Sequence, residues 1–329
     1  MKFHNKTVLS LFSAVSLLLA SNVVYADNTY PNQPIKLVVP QAPGGGVDMT
    51  SRLWASWVAK HLNGNIVVEN RPGANGILAT THAKQQKPDG YTVLVAGVSQ
   101  MTFNPFIYNN LPYESEKDFD GVAMLVNTPF LLVASNKSGI KSFEDLVSKA
   151  KQSPNKLNFS SAGQGNSTHL AMEMLMQRTG TKLTHVPYSS SATGLNSIIA
   201  GDSDVMVDVL NSALVQVKGG KVVPLAIIGH SKIEEMPEIP TLEELGLDNF
   251  PLPGWTTLLV PKGTPENIRL KLNKATQDFF AAPEVKEQFA QVRMEPILSK
   301  PEDVMAKVRE DSKTWGAVIK QLNISNTHK

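Results

Sequence analysis

The residues best suited to chemistry gather first in Pro40-Gln41-Ala42-Pro43-Gly44-Gly45-Gly46-Val47-Asp48. Three consecutive glycines bare main-chain N–H groups, and a helix beginning just after them adds partial positive charge. Such a loop serves either as a tight strand-to-helix turn or as a cradle for an anion such as a carboxylate. No Gly-Lys-Ser/Thr follows, so it is not a Walker A loop, and consecutive glycines do not make a dinucleotide fingerprint. A second segment, Ser160-Ser161-Ala162-Gly163-Gln164-Gly165-Asn166-Ser167-Thr168-His169, repeats the logic with hydroxyls and free amides at a helix start. Neither Arg nor Lys occurs between Gln41 and Ser51 or between Ser160 and His169. An anion would therefore be held by N–H groups, hydroxyls and helix ends. Each hydrogen bond to a charge contributes about 1.5–3 kcal/mol, and a micromolar site needs only about 8 kcal/mol.

Catalytic readings fit less well. Ser167 and His169 stand two apart, and no G-x-S-x-G elbow is present. His169 at a helix start reads as a structural or capping residue. His61, His82, His185 and His230 lack metal-ligand spacing, so no metal and no cofactor is expected. Asp202 and Asp204 read as turn residues before a strand. Asp208 ends that strand, where a binding role or a structural one is open. Trp54 and Trp57 read as core, and Trp255 as either core or site. The reading is a binding protein and not an enzyme. A hydrolase using Ser167 or Asp48 is the competing class.

These loops need a scaffold. Ile35–Val39 reads as a buried strand and 48–62 as a helix with Asp48 as N-cap. Ile66–Glu69 is a strand, 75–86 a helix and 91–96 a strand after the Pro88-Asp89-Gly90 turn. A second set follows from about residue 128. It has strands at 130–134, 157–160, 184–186, 205–208 and 223–228, and helices at 143–151 (capped by Ser142), 168–179 and 192–200. After the Pro-rich stretch 237–253 come a strand at 255–260 and helices at 265–280, 283–291 and 301–322, each opening near a Pro. This α/β alternation predicts two lobes, each a mainly parallel sheet flanked by helices. With no strands among them, the last helices pack back on the first lobe. That lobe then spans 27–127 plus 252–329 and the second spans 128–251. Both loops fall at carboxyl ends of strands, one in each lobe, where such sheets bind ligands.

Composition agrees. The chain has 329 residues, 42% hydrophobic and 18% charged, enough for two cores. Its formal net charge is +2, and without residues 1–26, which hold Lys2 and Lys6 but no acid, the charges balance. Bulk charge thus gives no support for nucleic-acid binding. Cys is absent, which excludes disulfides, thiol catalysis and a lipid-anchored Cys. Residues 1–26 carry a basic start, an apolar run from Val8 to Ala20 and the small-residue end Val24-Tyr25-Ala26. That is the pattern of a secretory signal cut after Ala26; the run is too short to span a bilayer. The expected location is outside the cytoplasm, as a soluble protein beginning at Asp27.

In order along the chain stand Tyr30-Pro31-x-x-Pro34-Ile35-Lys36-Leu37-Val38-Val39-Pro40, Pro43-Gly44-Gly45-Gly46-x-Asp48, Val67-Val68-Glu69-Asn70-Arg71-Pro72-Gly73-Ala74-x-Gly76 and Pro88-Asp89-Gly90-Tyr91-Thr92. Asn104-Pro105, Leu157 to Gly163, His185-Val186-Pro187-Tyr188, Asp204-Val205-Met206-x-Asp208, Pro237-Glu238-Ile239-Pro240-Thr241 and Gly263-Thr264-Pro265 follow. This ordered set resembles the Bug family, the extracytoplasmic solute receptors of tripartite tricarboxylate transporters. The resemblance implies a two-lobed, type II Venus-flytrap binding protein in the periplasm of a Gram-negative bacterium, working as a monomer with integral membrane transporter subunits. It implies that one carboxylate of a small mono-, di-, tri- or aromatic acid is held by amides of both loops, with Asp208 near the distal part of the ligand. A sensory receptor on the same fold is the alternative. The ligand-binding set expected on this basis is Gln41, Pro43, Gly44, Gly45, Gly46, Asp48, Ser99, Ser161, Ala162, Gly163, Gly165, Ser167, Thr168, His169, Tyr188 and Asp208. Two departures touch the pocket rim. Gln41 stands where the family often has an aromatic residue, and Ser189-Ser190-Ser191 follows Tyr188 where Lys and Gly are usual.

Overall fold

The computed structural model describes residues 30–44, 46–229, 232–251, 254–291, 294–321 and 324. Residues 1–26, read as a secretory signal, and Asp27, Gly45 and His230 lie outside the described residues. In chain order the first elements are β1 (Ile35–Val39), α1 (Gly46–His61), β2 (Ile66–Asn70), α2 (Ile77–Lys84) and β3 (Thr92–Gly97). Next come a π-helical turn (Ser99–Phe103), α3 (Asn104–Ile107), α4 (Ser115–Asp118) and β4 (Phe119–Asn127). The second set is β5 (Phe130–Ser135), α5 (Phe143–Gln152), β6 (Asn158–Ser161), α6 (Ser167–Thr179), β7 (Thr184–Pro187), α7 (Ser191–Ala200), β8 (Val205–Val209), α8 (Leu210–Lys218) and β9 (Val222–Ile228). The chain closes with β10 (Trp255–Pro261), α9 (Glu266–Ala281), α10 (Pro283–Gln291), β11 (Glu295–Pro296) and α11 (Pro301–Gln321).

Two sheets make two lobes. One is ordered β11-β4-β10-β3-β1-β2 and the other β7-β6-β8-β5-β9. The expected α/β lobes are present, but each sheet is mixed and not mainly parallel. β1 runs parallel to β2 and β3, whereas β10 runs antiparallel to both β3 and β4. In the second sheet β6 is parallel to β7 and β8, while β5 is antiparallel to β8 and β9. The cause is connection. β10 enters from the second sheet and threads between β3 and β4, and a strand arriving that way need not keep the direction a helical crossover imposes.

β10 and the C-terminal helices join the first sheet's core. Leu258, Val260, Leu272, Phe279 and Phe289 pack with Leu37, Trp54 and Val95 on one face, and Val304, Val308 and Trp315 pack with Val38, Leu94 and Phe119 on the other. The expectation of no strand among the last helices is corrected by the two-residue β11, which pairs with β4. The two chain crossings lie side by side: Thr128 N–H donates to the Gly254 carbonyl at 3.0 Å. Trp255 is core, buried with its indole N–H on Asp311 at 2.6 Å. Trp54 is fully buried and donates to Thr276 at 3.0 Å, while Trp57 is half-buried and donates to Glu284.

Candidate functional site

α1 starts at Gly46, so Asp48 sits in the first turn and is not the N-cap. The apolar stripe of the helix seats Trp54 and Val58 in the core and aims the N-terminus of α1 along the carboxyl end of β1. Gly44 takes φ +89°, a conformation that favours glycine, and its N–H donates to Asp48 Oδ2 at 2.9 Å. The same oxygen accepts from Arg52 Nε at 2.9 Å, and Oδ1 accepts from Asn70 Nδ2 at 2.8 Å. Asn70 also donates to the Gln41 carbonyl at 2.9 Å. Asp48 is buried, which pushes its pKa up, but the bonds from Arg52, Gly44 and Asn70 outweigh burial and hold it below the usual carboxylate range. The Asp48 carboxylate thus fixes loop shape and neutralises Arg52. Gln41, Pro43, Gly44 and Gly46 are exposed around it. The first-turn N–H groups of α1 have no intrahelical acceptor.

The second loop joins β6 to α6, which Asn166 caps through its side chain. Its amides were expected to be free, and the structure corrects this for most of them. Ala162 N–H donates to Thr168 Oγ1 at 2.8 Å, Gly163 N–H to Ser161 Oγ at 3.1 Å, and Gly165 N–H to His169 Nδ1 at 3.1 Å. Thr168 N–H is taken by Asn166 Oδ1 at 3.1 Å. Short polar side chains reach back to the nearby backbone as they do in turns and caps. The first turn of α6 keeps the N–H groups of Ser167 and His169 beyond this set, together with the Ser167 hydroxyl.

His169 is a buried capping residue whose Nδ1 accepts from Gly165 and whose Nε2 lies 3.4 Å from Glu173 Oε1. Its ring stacks on His185 at 3.9 Å between centroids, and His185 in turn stacks on Phe159 at 4.8 Å. Burial, then the neighbouring His169, pushes His185 down to about pKa 3, so it is neutral at physiological pH. Neutral His185 shares a hydrogen bond with Ser161 Oγ at 2.7 Å.

The two lobes meet at the second loop. Ser99, just after β3, brings its Oγ to 3.3 Å from Ser167 Oγ. Asn75 Nδ2 lies 3.4 Å from the Gly165 carbonyl. Leu170 and Met174 of α6 pack into the apolar cluster that holds Met101, Phe103 and Ile107 of the first lobe. Tyr188 is half-buried beside the second loop and donates its N–H to the Ser161 carbonyl. Asp208, at the end of β8, is fully buried. Ser191 donates to its Oδ1 and Ser212 to its Oδ2, the latter at 2.8 Å. Burial raises its pKa against these bonds.

Residues 50–324 match the model of the tripartite tricarboxylate transporter family receptor. A UPF0065 protein of Bordetella pertussis is 30% identical over 97% of this chain and 98% of its own length. The chain belongs to the tripartite tricarboxylate transporter receptor family. Protein BugT of Bordetella pertussis is 28% identical over 95% of this chain and 96% of its own length. Among solved structures, Rpa4515 of R. palustris with adipate superimposes with a TM-score of 0.82 at 28% identity, over 88% of this chain and 97% of that one. MatC of Rhodopseudomonas palustris with bound malate gives 0.78 at 30% identity, over 88% and 100%. This receptor shares their two-lobed architecture.

Sequence reasoning did not single out three side chains at the contact between the lobes: Asn75, Gln100 and Asn104. All are neutral amides, and only Asn104, in the pair Asn104-Pro105, stands in the ordered set that carries the resemblance. A local signal was also present at Asn75, inside Gly73-Ala74-Asn75-Gly76, a run built for unusual backbone angles. Asp204, read as a turn residue, has a structural role, accepting the Asn158 N–H at 2.8 Å.

Proposed function

We propose that this receptor captures a small organic carboxylate between its lobes in the periplasm and hands it, intact, to a tripartite tricarboxylate-type membrane transporter. The observation that carries the reading is the approach of the two lobes at the glycine-containing second loop, where Ser99 of the first lobe and Ser167 of the second come within hydrogen-bond reach. The start of α6 and the hydroxyls supply donors at that junction, and beside the first glycine loop Asp48 pairs with Arg52. An incoming carboxylate therefore meets neutral, pre-oriented dipoles. Water exclusion between the lobes strengthens each of those contacts. The adipate and malate of the two related structures fit the same chemistry. Among the described residues no helix is long and apolar enough to cross a membrane.

In this reading the lobes divide near residues 127–128 and 251–252, where strands leave one sheet for the other. The receptor acts as a monomer, without cofactor or metal. Its site includes the glycine loop at 43–46, the α6 start at Ser167–His169, Ser99 and Tyr188, with Asp208 beneath the second lobe's floor. Isothermal calorimetry against mono-, di-, tri- and aromatic carboxylates tests it. Micromolar or tighter binding of at least one acid, recovered unchanged, is expected. Silence across the panel from folded protein, or turnover of the bound acid, would overturn it.

A further inference from the structure

Four successive residues beside the second loop, Gly73, Ala74, Asn75 and Gly76, all have positive φ, from 47° to 130°. Two of them are not glycine. Asparagine tolerates this region and alanine does so poorly, so something must hold the segment there. Gln100 Nε2 donates to the Asn75 carbonyl at 2.9 Å, and Asn104 Nδ2 donates to the same carbonyl at 3.2 Å. Asn104 is fully buried and also donates to Tyr113 OH at 3.0 Å, which itself donates to the Gln100 carbonyl at 2.6 Å. Gln100 Oε1 accepts the Gly97 N–H at 2.8 Å, tying the group to the end of β3. A Cβ on Gly76 would come within 2.5 Å of the Gln100 amide, so the fit excludes any larger residue.

This buried amide network presents one group outward. Asn75 Nδ2, steadied by Asn104 Oδ1 at 2.8 Å, reaches the Gly165 carbonyl of the other lobe. The N–H of Gly165 is bound to His169, so both polar groups of that residue are fixed. Gly165 itself has φ +73°, and a Cβ there would meet Ile107 Cδ1 of the first lobe at 2.8 Å. Absence of a side chain at 165 is thus what lets the lobes approach this closely.

We propose that Asn75 is a positioning residue for capture. Its side-chain amide, clamped from the first lobe, locks the Gly165 peptide of the second loop and draws the lobes together by a protein–protein contact that needs no ligand. The inference rests on the two-lobed capture reading above, but its test uses no ligand, so the two fail separately. A ligand-independent latch shortens the search between loose encounter and firm grip, because part of the closure is already made. It also fixes the second loop's carbonyl pointing at Asn75, leaving the α6 N-terminus to the incoming anion.

The chain contains no Cys, so Lys60→Cys and Lys182→Cys, two exposed positions on opposite lobes, take spin labels cleanly. Interlobe distances are read by pulsed EPR on exhaustively dialysed protein with no acid added. Wild type is expected to give a predominant short distance. Asn75→Asp keeps the size but loses the donor, and Asn75→Gly keeps the backbone conformation but loses the side chain. Both should lower the closed-to-open ratio about two- to tenfold, the effect of losing one hydrogen bond, while the thermal midpoint hardly moves. Identical distance distributions in all three proteins, or a wild type that is open, would overturn the proposal. A carboxylate panel that shows no binding while the distances respond as expected would remove the proposed function and leave the latch standing.

Discussion

The Asp48 carboxylate and the Gly44 N–H, four residues apart, are joined at 2.9 Å across the first glycine loop. The bond turns this acid inward, toward Arg52 and Asn70, so that it shapes the loop, and in the proposed function it would not repel an incoming carboxylate. Asp48→Ala leaves the Gly44 N–H and Arg52 without this partner. It should destabilise the fold by about 1–3 kcal/mol and weaken carboxylate binding, as read by urea unfolding and calorimetry.

Asp48 also sets a pH response. Its folded pKa is lowered, so its contribution is fully present above the ordinary carboxylate range and is lost as pH falls through the folded value. Asp48→Asn should flatten the stability profile below about pH 4. An unchanged acid limb in thermal melts would contradict this account.

His185 acts in a higher window. The folded protein holds it neutral down to about pH 3, whereas the unfolded chain protonates near pH 6.5. Unfolding therefore takes up a proton between those values, and stability is lost progressively as pH falls from 6.5 toward 3. His185→Phe keeps a ring in the stack with Phe159 and His169 and should remove that part of the decline, measured as the pH dependence of the unfolding midpoint.

Asp208 has the opposite sign. Burial raises its folded pKa, so its contribution is greatest below the unfolded pKa and declines as pH rises through the folded one. Asp208→Asn should relieve that decline. It should also change which acid of a panel binds best without abolishing capture, because the loop donors are untouched. Equal loss of affinity for every acid would show that Asp208 holds the whole site together.

At the crossing, a Cβ on Gly254 would come within 2.4 Å of the Phe130 ring and 2.8 Å of the Thr128 carbonyl. The carbonyl is backbone and cannot step aside. Gly254→Ala should therefore cost about 1–3 kcal/mol and alter the angle between the lobes, detected by denaturation and by small-angle scattering.

Much of this was legible in the residues alone. The runs Ile35–Val39, Phe130–Ala134 and Val223–Ile228 are apolar enough to be buried strands, and Ser142 and the opening prolines mark helix starts, because these signals are local. The nine-residue strand 119–127 was not legible. Its Gly121 weakens the pattern, and only the carbonyl of Pro301 and the side chain of Val304 pressed against that glycine explain why it belongs there. Helix 210–218 was hidden because Leu-Asn-Ser-Ala-Leu is too short and mixed to assert a period by itself.

The amino-acid order by itself determined two α/β bodies, the two glycine-containing loops and the lack of cationic side chains within them. Composition, spacing and local backbone preference are properties of neighbours in the chain. Tertiary structure alone decided strand direction, the use made of each amide and the meeting of Asn75 with Gly165. These depend on contacts between residues far apart in sequence, and a hydrogen bond is made or left open by a few tenths of an ångström that no spacing encodes.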